Sequence, residues 1–396
     1  MASHKQRQYD FESLPDRSGT GALKWERYAG RDVIPAWVAD MDFLSPPAVI
    51  EQLCARSQHG VFGYTNPYAT VEGAAIDYMQ RTHGVAVERE WIVWMPGLVP
   101  ALNMAARAYC GADEAVMTAT PVYPPFLSAP RYQGCQLQKV PLVVRADRYE
   151  FDIAAMQSAV TDKTRIFFLC NPHNPVGRVW SREELQQIIA FCKTNSLILV
   201  SDEIHCDLIL EPELTHQSIL RLDDWAYENS LTLMAPSKTY NLCGLACSFV
   251  VIPDATIRRP FRIATRGLFN EIGCLGYAGC EAAYRHGEAW RLELIEVLRE
   301  NRNLLQSFFA QNMPRIQILP IEATYLAWLD VRELGLDQAR QYFEDAGVGL
   351  NDGAEFGWPG YLRLNFGCPE SVLNEVLSRM EQAYRAIPAK TDPGHG

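Results

Sequence analysis

No stretch of this sequence approaches the roughly 20 consecutive apolar residues that a transmembrane helix requires. The polar start from Met1 to Asp10 lacks the apolar core of a secretory signal peptide. No run of five basic residues occurs, and 36 Lys and Arg against 47 Asp and Glu leave a net charge of −11. We therefore expect a cytoplasmic protein with no nucleic acid and no membrane among its partners.

No C-x-x-C motif occurs among the eleven cysteines, and Cys243 and Cys247 are too widely spaced to form one. Most of the cysteines lie in apolar stretches, where the residue behaves as a small hydrophobic side chain. Their number is odd and the chain is long, which disfavours a disulfide framework. Reduced, buried thiols are the predicted state, as in a cytosolic protein.

Internal repeats and low-complexity segments are also absent, and 396 residues suffice for two or three domains with large cores. Short apolar runs alternate with helical patterns, which predicts an α/β fold with helices on both faces of a mostly parallel sheet. We expect a segment 1–45 that joins a small domain, a large domain 46–285, a small α+β domain 286–388 and a disordered tail 389–396.

Several predicted strands end directly before polar or glycine-containing loops. The strand patterns lie at 91–95, 115–119, 164–170, 197–201, 231–234, 248–252, 324–331 and 361–365. Ser181-Arg-Glu-Glu184 predicts a capping box that opens a helix reaching about Asn195. Because open α/β sheets bind ligands beyond the carboxyl ends of their strands, we expect the functional site there.

Two of these loops carry signals that are ambiguous by themselves. Gly97-Leu98-Val99 lies between a strand and a helix, where free backbone N–H groups could cradle a phosphate. An ordinary strand-to-helix turn has the same pattern. Tyr123, in a proline-rich loop, could stack on a flat heterocycle or pack on the surface.

The following loops are more specific. Asn171-Pro-His-Asn-Pro-Val-Gly177 contains two Asn-Pro pairs and a glycine, a stiff backbone that lets Asn174 present its amide to a ligand oxygen. Asp202 ends an apolar strand, where a carboxylate could pair with a pyridinium nitrogen, as pyridoxal-phosphate sites require. His205 would lie near the ring edge, although a satisfied polar contact is the simpler interpretation of this histidine alone.

Lys238 completes the set, in the motif Ala235-Pro-Ser-Lys238 directly after a predicted buried strand. Burial disfavours the charge of an ammonium group, so we expect a lowered pKa and an amine that is nucleophilic toward an aldehyde. A surface lysine is the alternative, but the flanking pattern argues against it.

Together, the order of these motifs resembles that of fold-type-I pyridoxal-phosphate enzymes over nearly the whole chain. The resemblance implies the aspartate-aminotransferase fold, with a seven-stranded, mostly parallel sheet and a smaller α+β domain. It implies pyridoxal 5'-phosphate as the cofactor, held by Lys238 as a Schiff base. The remaining cofactor contacts that it implies are Gly97, Leu98, Val99 and Ser237 at the phosphate, Tyr123 stacked on the ring, Asn174 at its phenolic oxygen, Asp202 at its nitrogen, and His205 in the place of a tyrosine common in aminotransferases.

Two further roles follow from the same resemblance. Gly63-Tyr64-Thr65 matches the segment that reaches the phosphate across a dimer interface, which implies a homodimer with shared active sites. Tyr64 and Tyr123 then join Lys238 as catalytic residues. Arg363 matches the arginine that clamps the α-carboxylate of an amino-acid substrate in a bidentate pair.

Finer features are similar to the cystathionine β-lyase and C–S lyase branch, the group that contains the maltose-regulon modulator protein. They are Val38-Ala-Asp-Met-Asp-Phe43, Gly60-Val-Phe-Gly-Tyr64, Ser201-Asp-Glu-Ile-His205, Ala323-Thr-Tyr-Leu-Ala-Trp-Leu-Asp330 and Arg363-Leu-Asn-Phe-Gly-Cys-Pro369. Many aminotransferases place a phosphate-binding arginine eight positions after the lysine, and here that position is Ala246. What replaces its charge is not visible in the sequence.

The resemblance implies β-elimination of cystathionine or another cysteine S-conjugate, which yields a thiol, pyruvate and ammonia. An aminotransferase of a hydrophobic or aromatic amino acid is the alternative, because transamination shares every step up to the loss of the α-proton. A third possibility is a regulatory interaction protein that keeps the same scaffold. The presence of Lys238, Asp202, Asn174 and Arg363 argues against a loss of catalysis.

Overall fold

A computed structural model describes residues 7–269 and 271–388 of the protein. The predicted tail 389–396 and the first six residues of the polar start lie outside the described residues. Within the described ranges, no helix combines the length and the apolar character that a bilayer span requires.

The secondary structure follows the predicted alternation of strands and helices. The strands are β1 (Ile34–Pro35), β2 (Ile92–Met95), β3 (Ala115–Thr120), β4 (Gln136–Pro141), β5 (Val143–Arg145), β6 (Arg148–Glu150), β7 (Thr164–Cys170), β8 (Ile198–Asp202), β9 (Ser230–Met234), β10 (Ser248–Val251), β11 (Leu326–Asp330), β12 (Val348–Gly349), β13 (Asn351–Asp352) and β14 (Tyr361–Asn365). The α-helices are α1 (Leu23–Glu26), α2 (Pro47–Gln58), α3 (Ala69–Tyr78), α4 (Leu98–Tyr109), α5 (Pro124–Tyr132), α6 (Ile153–Ala159), α7 (Arg182–Thr194), α8 (Asp224–Asn229), α9 (Ala255–Thr265), α10 (Cys274–His286), α11 (Glu288–Asn312), α12 (Ala339–Asp345) and α13 (Glu370–Ala386). A π-helical turn, Met79–His83, extends α3, and 3-10 helices lie at Arg89–Trp91, Ile219–Arg221, Cys243–Leu245, Arg332–Leu334 and Gly353–Phe356.

Seven strands form the central sheet, in the order β2-β10-β9-β8-β7-β3-β4. Every pair is parallel except the two that β10 makes, because β10 runs opposite to both β2 and β9. Strand β2 therefore points the same way as the parallel strands, and their carboxyl ends meet at one edge of the sheet. The predicted α/β class with a mostly parallel sheet is confirmed.

Both faces of this sheet are covered, which explains why its strands are almost continuously apolar. Successive side chains of a strand point to opposite faces. Phe168 accordingly packs in a core with α4, whereas its neighbour Phe167 packs in a second core with α7. The predicted capping box opens α7: Ser181 accepts from the N–H of Glu184, and the Glu184 carboxylate accepts from the N–H of Ser181.

The C-terminal part folds around the antiparallel sheet β11-β14-β13, next to α11 and α13. Strand β1 pairs in parallel with β12, so the N-terminal segment is tied to this part of the molecule. The long helix α11 begins at Glu288, directly after α10 ends at His286. We retain 46–285 and 286–388 as the proposed limits of the large and small domains.

Candidate active site

A cavity of about 310 Å³ lies where the carboxyl ends of the central strands meet. Its walls come from the loops after β2, β3, β7, β8 and β9, from segment 38–39 and from strand β14. It brings together ten predicted site residues: Gly97, Leu98, Val99, Tyr123, Asn174, Asp202, His205, Ser237, Lys238 and Arg363.

The start of α4 forms one wall. Gly97 has a φ of +135°, a backbone conformation that side-chain-bearing residues rarely adopt, and its N–H donates to Ser248 Oγ over 3.1 Å. The next two N–H groups, on Leu98 and Val99, have no acceptor within the helix, and no side chain caps this terminus. These donors and the positive end of the helix dipole suit an anionic group.

Asp202 is the last residue of β8 and His205 lies on the loop that follows it, and both side chains are buried. Burial raises the pKa of Asp202 to about 7, although the N–H of Ile204, 3.1 Å from Oδ1, and the charge of Lys238 both lower it. Burial lowers the pKa of His205 to about 3, so its imidazole is neutral at pH 7. Its Nδ1 is buried without a hydrogen-bond partner among the described residues.

The stiff loop after β7 presents Asn174 to the cavity, as predicted. Its Oδ1 accepts from Arg363 Nη1 over 3.2 Å, and its backbone carbonyl accepts from the N–H of Tyr123 over 3.0 Å. Because Oδ1 is already used by the protein, the amide nitrogen is the atom of Asn174 that is left to donate to a ligand.

Lys238 lies in the cavity, but the expectation that its pKa is lowered is wrong for the protein without cofactor. Burial is the strongest single influence and lowers this pKa. The combined effect of Cys243, Tyr123 and Asp40 is larger and raises the pKa of Lys238 above the ordinary value for lysine. The ammonium also donates to the carbonyl oxygen of Ala39 over 2.5 Å. Desolvation was predictable from the sequence, but two of these neighbours, Tyr123 and Asp40, come from other parts of the chain.

Arg363 is a buried cation without a carboxylate partner within ion-pair distance in residues 7–269 and 271–388. Its Nη2 donates to Asn351 Oδ1 over 2.7 Å and to the carbonyl oxygen of Trp37 over 2.9 Å. Burial lowers the pKa of Arg363 to about 10, which leaves the group charged at pH 7. Its Nε is buried and has no hydrogen-bond partner in the part of the chain that the structure describes. An anionic ligand would supply both the missing charge and an acceptor.

Tyr64 is the predicted site residue that the structure does not bring to the cavity of its own chain. Its side chain is 95% exposed, and its neighbours Val61 and Phe62 are 61% and 58% exposed. Three large apolar side chains therefore project into solvent within one short segment of the single chain.

The sequence did not single out several residues of this site. Cys243 lines the cavity, and Asn351 orients Arg363 through a contact between two strands. Val38 and Ala39 also line it, and they belong to a motif that served only to identify a family branch. Asn351 carried no sequence signal, because its role depends on the pairing of β13 with β14.

Position 246 carries no cation, as the sequence indicates, and Ala246 adopts a left-handed conformation with φ +47°. Lys238 and Arg363 are the only lysine or arginine side chains among the described residues that line the cavity. The charge of the missing arginine is therefore not replaced by another lysine or arginine of the same chain within this cavity.

The chain is similar to known proteins in both sequence and structure. The sequence profile described as Aminotransferase class I and II matches residues 32–380. Cystathionine beta-lyase PatB of Bacillus subtilis is 35% identical, over 94% of this chain and 99% of that protein. The crystal structure of OvoB is 36% identical with a TM-score of 0.93, over 95% of this chain and 99% of that one. The pyridoxal-phosphate-bound C–S lyase of Staphylococcus hominis is 30% identical with a TM-score of 0.89, over 95% of this chain and 98% of that one.

Proposed function

The chain belongs to the class I and II aminotransferase family, and within it we propose that the protein is a pyridoxal-phosphate-dependent carbon–sulfur β-lyase. Its substrates are cystathionine or other cysteine S-conjugates, and its products are a thiol, pyruvate and ammonia. The activities in the names of the Bacillus and Staphylococcus relatives support this choice over transamination.

One observation carries the proposal: a lysine amine, a buried carboxyl group and a buried arginine without a counter-ion share one cavity. Pyridoxal phosphate supplies an aldehyde for an amine and a protonated ring that withdraws electrons from the substrate's α-carbon. The residues fit this group, because the start of α4 offers free N–H donors for a phosphate and Asp202 offers a carboxylate for a ring nitrogen.

The residues of this chain then have the following proposed roles. Lys238 Nζ would hold the cofactor aldehyde, and the same amine is the group of this cavity that could accept the α-proton of the substrate. Arg363 binds the substrate carboxylate, and Asn351 holds its guanidinium in place. Asn174 and His205 would contact the edge of the cofactor ring, and Tyr123 would stack on its face.

A test of this function measures pyruvate after the purified protein is incubated with cystathionine and no 2-keto acid. We expect pyruvate and a thiol to appear together and in equal amounts. A strict requirement for an added keto acid would identify the alternative, an aminotransferase of a hydrophobic or aromatic amino acid. Complete inactivity of the cofactor-bound protein toward a panel of amino acids would instead favour a regulatory protein.

Arg363→Lys is expected to lower kcat/KM by about ten- to a hundredfold, mainly through KM. Lysine keeps the charge but cannot form the planar, bidentate pair with a carboxylate. Steady-state kinetics with a cysteine S-conjugate measure the effect. Arg332→Lys is a matched control, because that arginine is exposed and pairs with Asp330 away from the cavity. Unchanged kcat/KM in Arg363→Lys would show that this arginine does not bind the substrate carboxylate.

We further propose a homodimer in which Tyr64 enters the cavity of the partner subunit. The exposure of Val61, Phe62 and Tyr64 supports an interface at this segment, since such patches mark association surfaces. The lack of a further lysine or arginine in the cavity of the single chain leaves a part of the phosphate site for a residue from outside. The domain limits given above and a cytoplasmic location, in keeping with eleven free thiols, complete the proposal.

The shared site predicts complementation between two inactive variants, Tyr64→Ala and Lys238→Ala. A mixed dimer has one cavity with both lesions and one with neither, so activity returns to about a quarter of wild type after random mixing. Activity is measured after subunit exchange, with heterodimers detected by a tag on one variant. No recovery, with heterodimers present and each single variant inactive, would place Tyr64 outside the partner's cavity.

A further inference from the structure

A buried polar cluster includes residues of the loops that follow β8 and β9 and lies outside the cavity. It consists of Tyr78, His83, Cys206, Asp207 and Thr239, all with exposed fractions of 7% or less. The hydroxyl of Tyr78 donates to Asp207 Oδ2 over 2.7 Å and lies 3.0 Å from His83 Nε2. Thr239 Oγ1 donates to the same Asp207 oxygen over 3.3 Å. None of these residues has a part in the chemistry described above.

The cluster has the side-chain types of a metal site, since His83, Cys206 and Asp207 offer ligand atoms within 4.8 Å of one another. The Tyr78 hydroxyl, however, lies within 2.7 to 3.5 Å of all three groups and so occupies the space between them. Burial also raises the pKa of the Cys206 thiol, which keeps it protonated and a poor ligand. Hydrogen bonding therefore accounts for the cluster better than a metal does.

The position of Asp207 and Thr239 in the chain gives the cluster its significance. Asp207 follows Asp202 and His205 on the loop after β8, and Thr239 directly follows Lys238 on the loop after the adjacent strand β9. A hydrogen bond between these two residues therefore ties the loop with the ring-facing groups to the loop with the amine. Asn241, further along the loop that carries Lys238, forms side-chain hydrogen bonds to the backbone of Met41 and Phe43. The lysine loop is therefore held both through Thr239 and through Asn241.

We propose that Asp207 and Thr239 are positioning residues that fix the Lys238 amine relative to Asp202 and His205, with Tyr78 holding the Asp207 carboxylate. This inference rests on the proposed function, because it concerns the same amine. A displacement of about 1 Å between reacting groups is enough to cost a large factor in rate. We call the hydrogen bond between Asp207 and Thr239 the clamp. Its loss should therefore lower kcat much more than it raises KM.

Thr239→Val tests the clamp, because valine keeps the shape of threonine and removes only the hydroxyl. We expect kcat to fall on the order of tenfold, with KM changed by less than about threefold. Thr239→Ser, which retains the hydroxyl, should restore most of kcat. Tyr78→Phe should act in the same direction as Thr239→Val.

The chain offers a matched control in Thr232→Val. Thr232 lies on β9, is as fully buried as Thr239, and its hydroxyl has no hydrogen-bond partner among the described residues. Its removal should leave kcat unchanged and the Tm unchanged or higher. A kcat loss in Thr232→Val equal to that in Thr239→Val would overturn the proposal, as would failure of Thr239→Ser to rescue. So would a Thr239→Val protein with a lower Tm but a normal kcat.

A second readout separates this inference from the proposed function. Pyridoxal phosphate added to cofactor-stripped protein should form a visible absorption band, at a rate that depends on the placement of the Lys238 amine. The band should form several-fold more slowly in Thr239→Val than in wild type or Thr232→Val, whatever reaction the enzyme catalyses. Equal rates in all three proteins would overturn the clamp, and a stoichiometric metal found by elemental analysis would overturn its hydrogen-bonded interpretation.

Discussion

Lys238→Ala is expected to lower turnover by at least about a thousandfold and to remove the covalent bond between protein and cofactor. The amine is both the proposed attachment point and the proposed base, and among the described residues that line the cavity no second lysine can replace it. Wild-type protein should be yellow, and reduction with borohydride followed by peptide mapping should mark the peptide that contains Lys238. The same treatment of Lys238→Ala should mark no peptide.

Lys193→Ala provides the control for this experiment, because Lys193 is exposed on α7, away from the cavity. It should keep the yellow colour, the labelled peptide and the activity of wild type. A label found on any lysine other than Lys238, or a Lys238→Ala protein with more than a few per cent of wild-type turnover, would show that the assignment is wrong.

Asp202→Asn is expected to lower kcat by about a hundredfold or more, with a much smaller change in KM. The amide has nearly the same shape but carries no negative charge to pair with a protonated ring nitrogen. Removal of the α-proton should slow while substrate binding persists, and pre-steady-state kinetics can separate the two. A variant in which KM rises and kcat survives would contradict the role of this carboxylate.

The same substitution should stabilise the cofactor-free protein at alkaline pH, although it lowers the activity of the enzyme. The folded pKa of Asp202 is about 7 against 3.8 for the free side chain, so the folded protein binds this proton more tightly than the unfolded chain. The contribution of this bound proton to the free energy of unfolding is full below about pH 4 and is lost as the pH rises through about 7. Above pH 7 the buried, ionised carboxylate costs on the order of a few kcal/mol relative to an amide.

We therefore expect cofactor-free Asp202→Asn to have a higher Tm than cofactor-free wild type at pH 8, and the difference to vanish near pH 4. Thermal unfolding of both proteins across this range measures it. An equal difference at all pH values would show that the amide acts through packing instead of charge. The predicted trend would mean that the ionised Asp202 carboxylate lowers the stability of the folded protein while it serves the reaction, which is common in active sites.

Local sequence was sufficient to predict most of the fold. Apolar runs bounded by polar loops predicted six of the seven central strands to within one or two residues, but not β4, and Ser181 with Glu184 predicted the start of α7. These features depend on neighbours in the chain, because strand periodicity, capping and helix dipoles act over a few residues. The clustering of the predicted site residues at one sheet edge also followed, since parallel strands deliver their carboxyl ends to the same edge.

The predicted pKa of Lys238 failed because it depends on long-range contacts. Cys243 lies in the same loop as Lys238, but Asp40 and Tyr123 are distant in the chain, and only folding brings these two residues to the amine. The Asn351 contact that orients Arg363 was invisible for the same reason.

The sequence by itself determined the fold class, the cofactor-binding motifs and the residue types of the site. Only the tertiary structure decided that Arg363 is a buried cation with no counter-ion among the described residues and that Asp207 ties the lysine loop to its neighbour. It also showed that Tyr64 is exposed and does not line the cavity of its own chain. The physical reason is that secondary structure and helix capping are encoded locally, whereas side-chain contacts, burial and the electrostatic environment depend on residues that are distant in the chain.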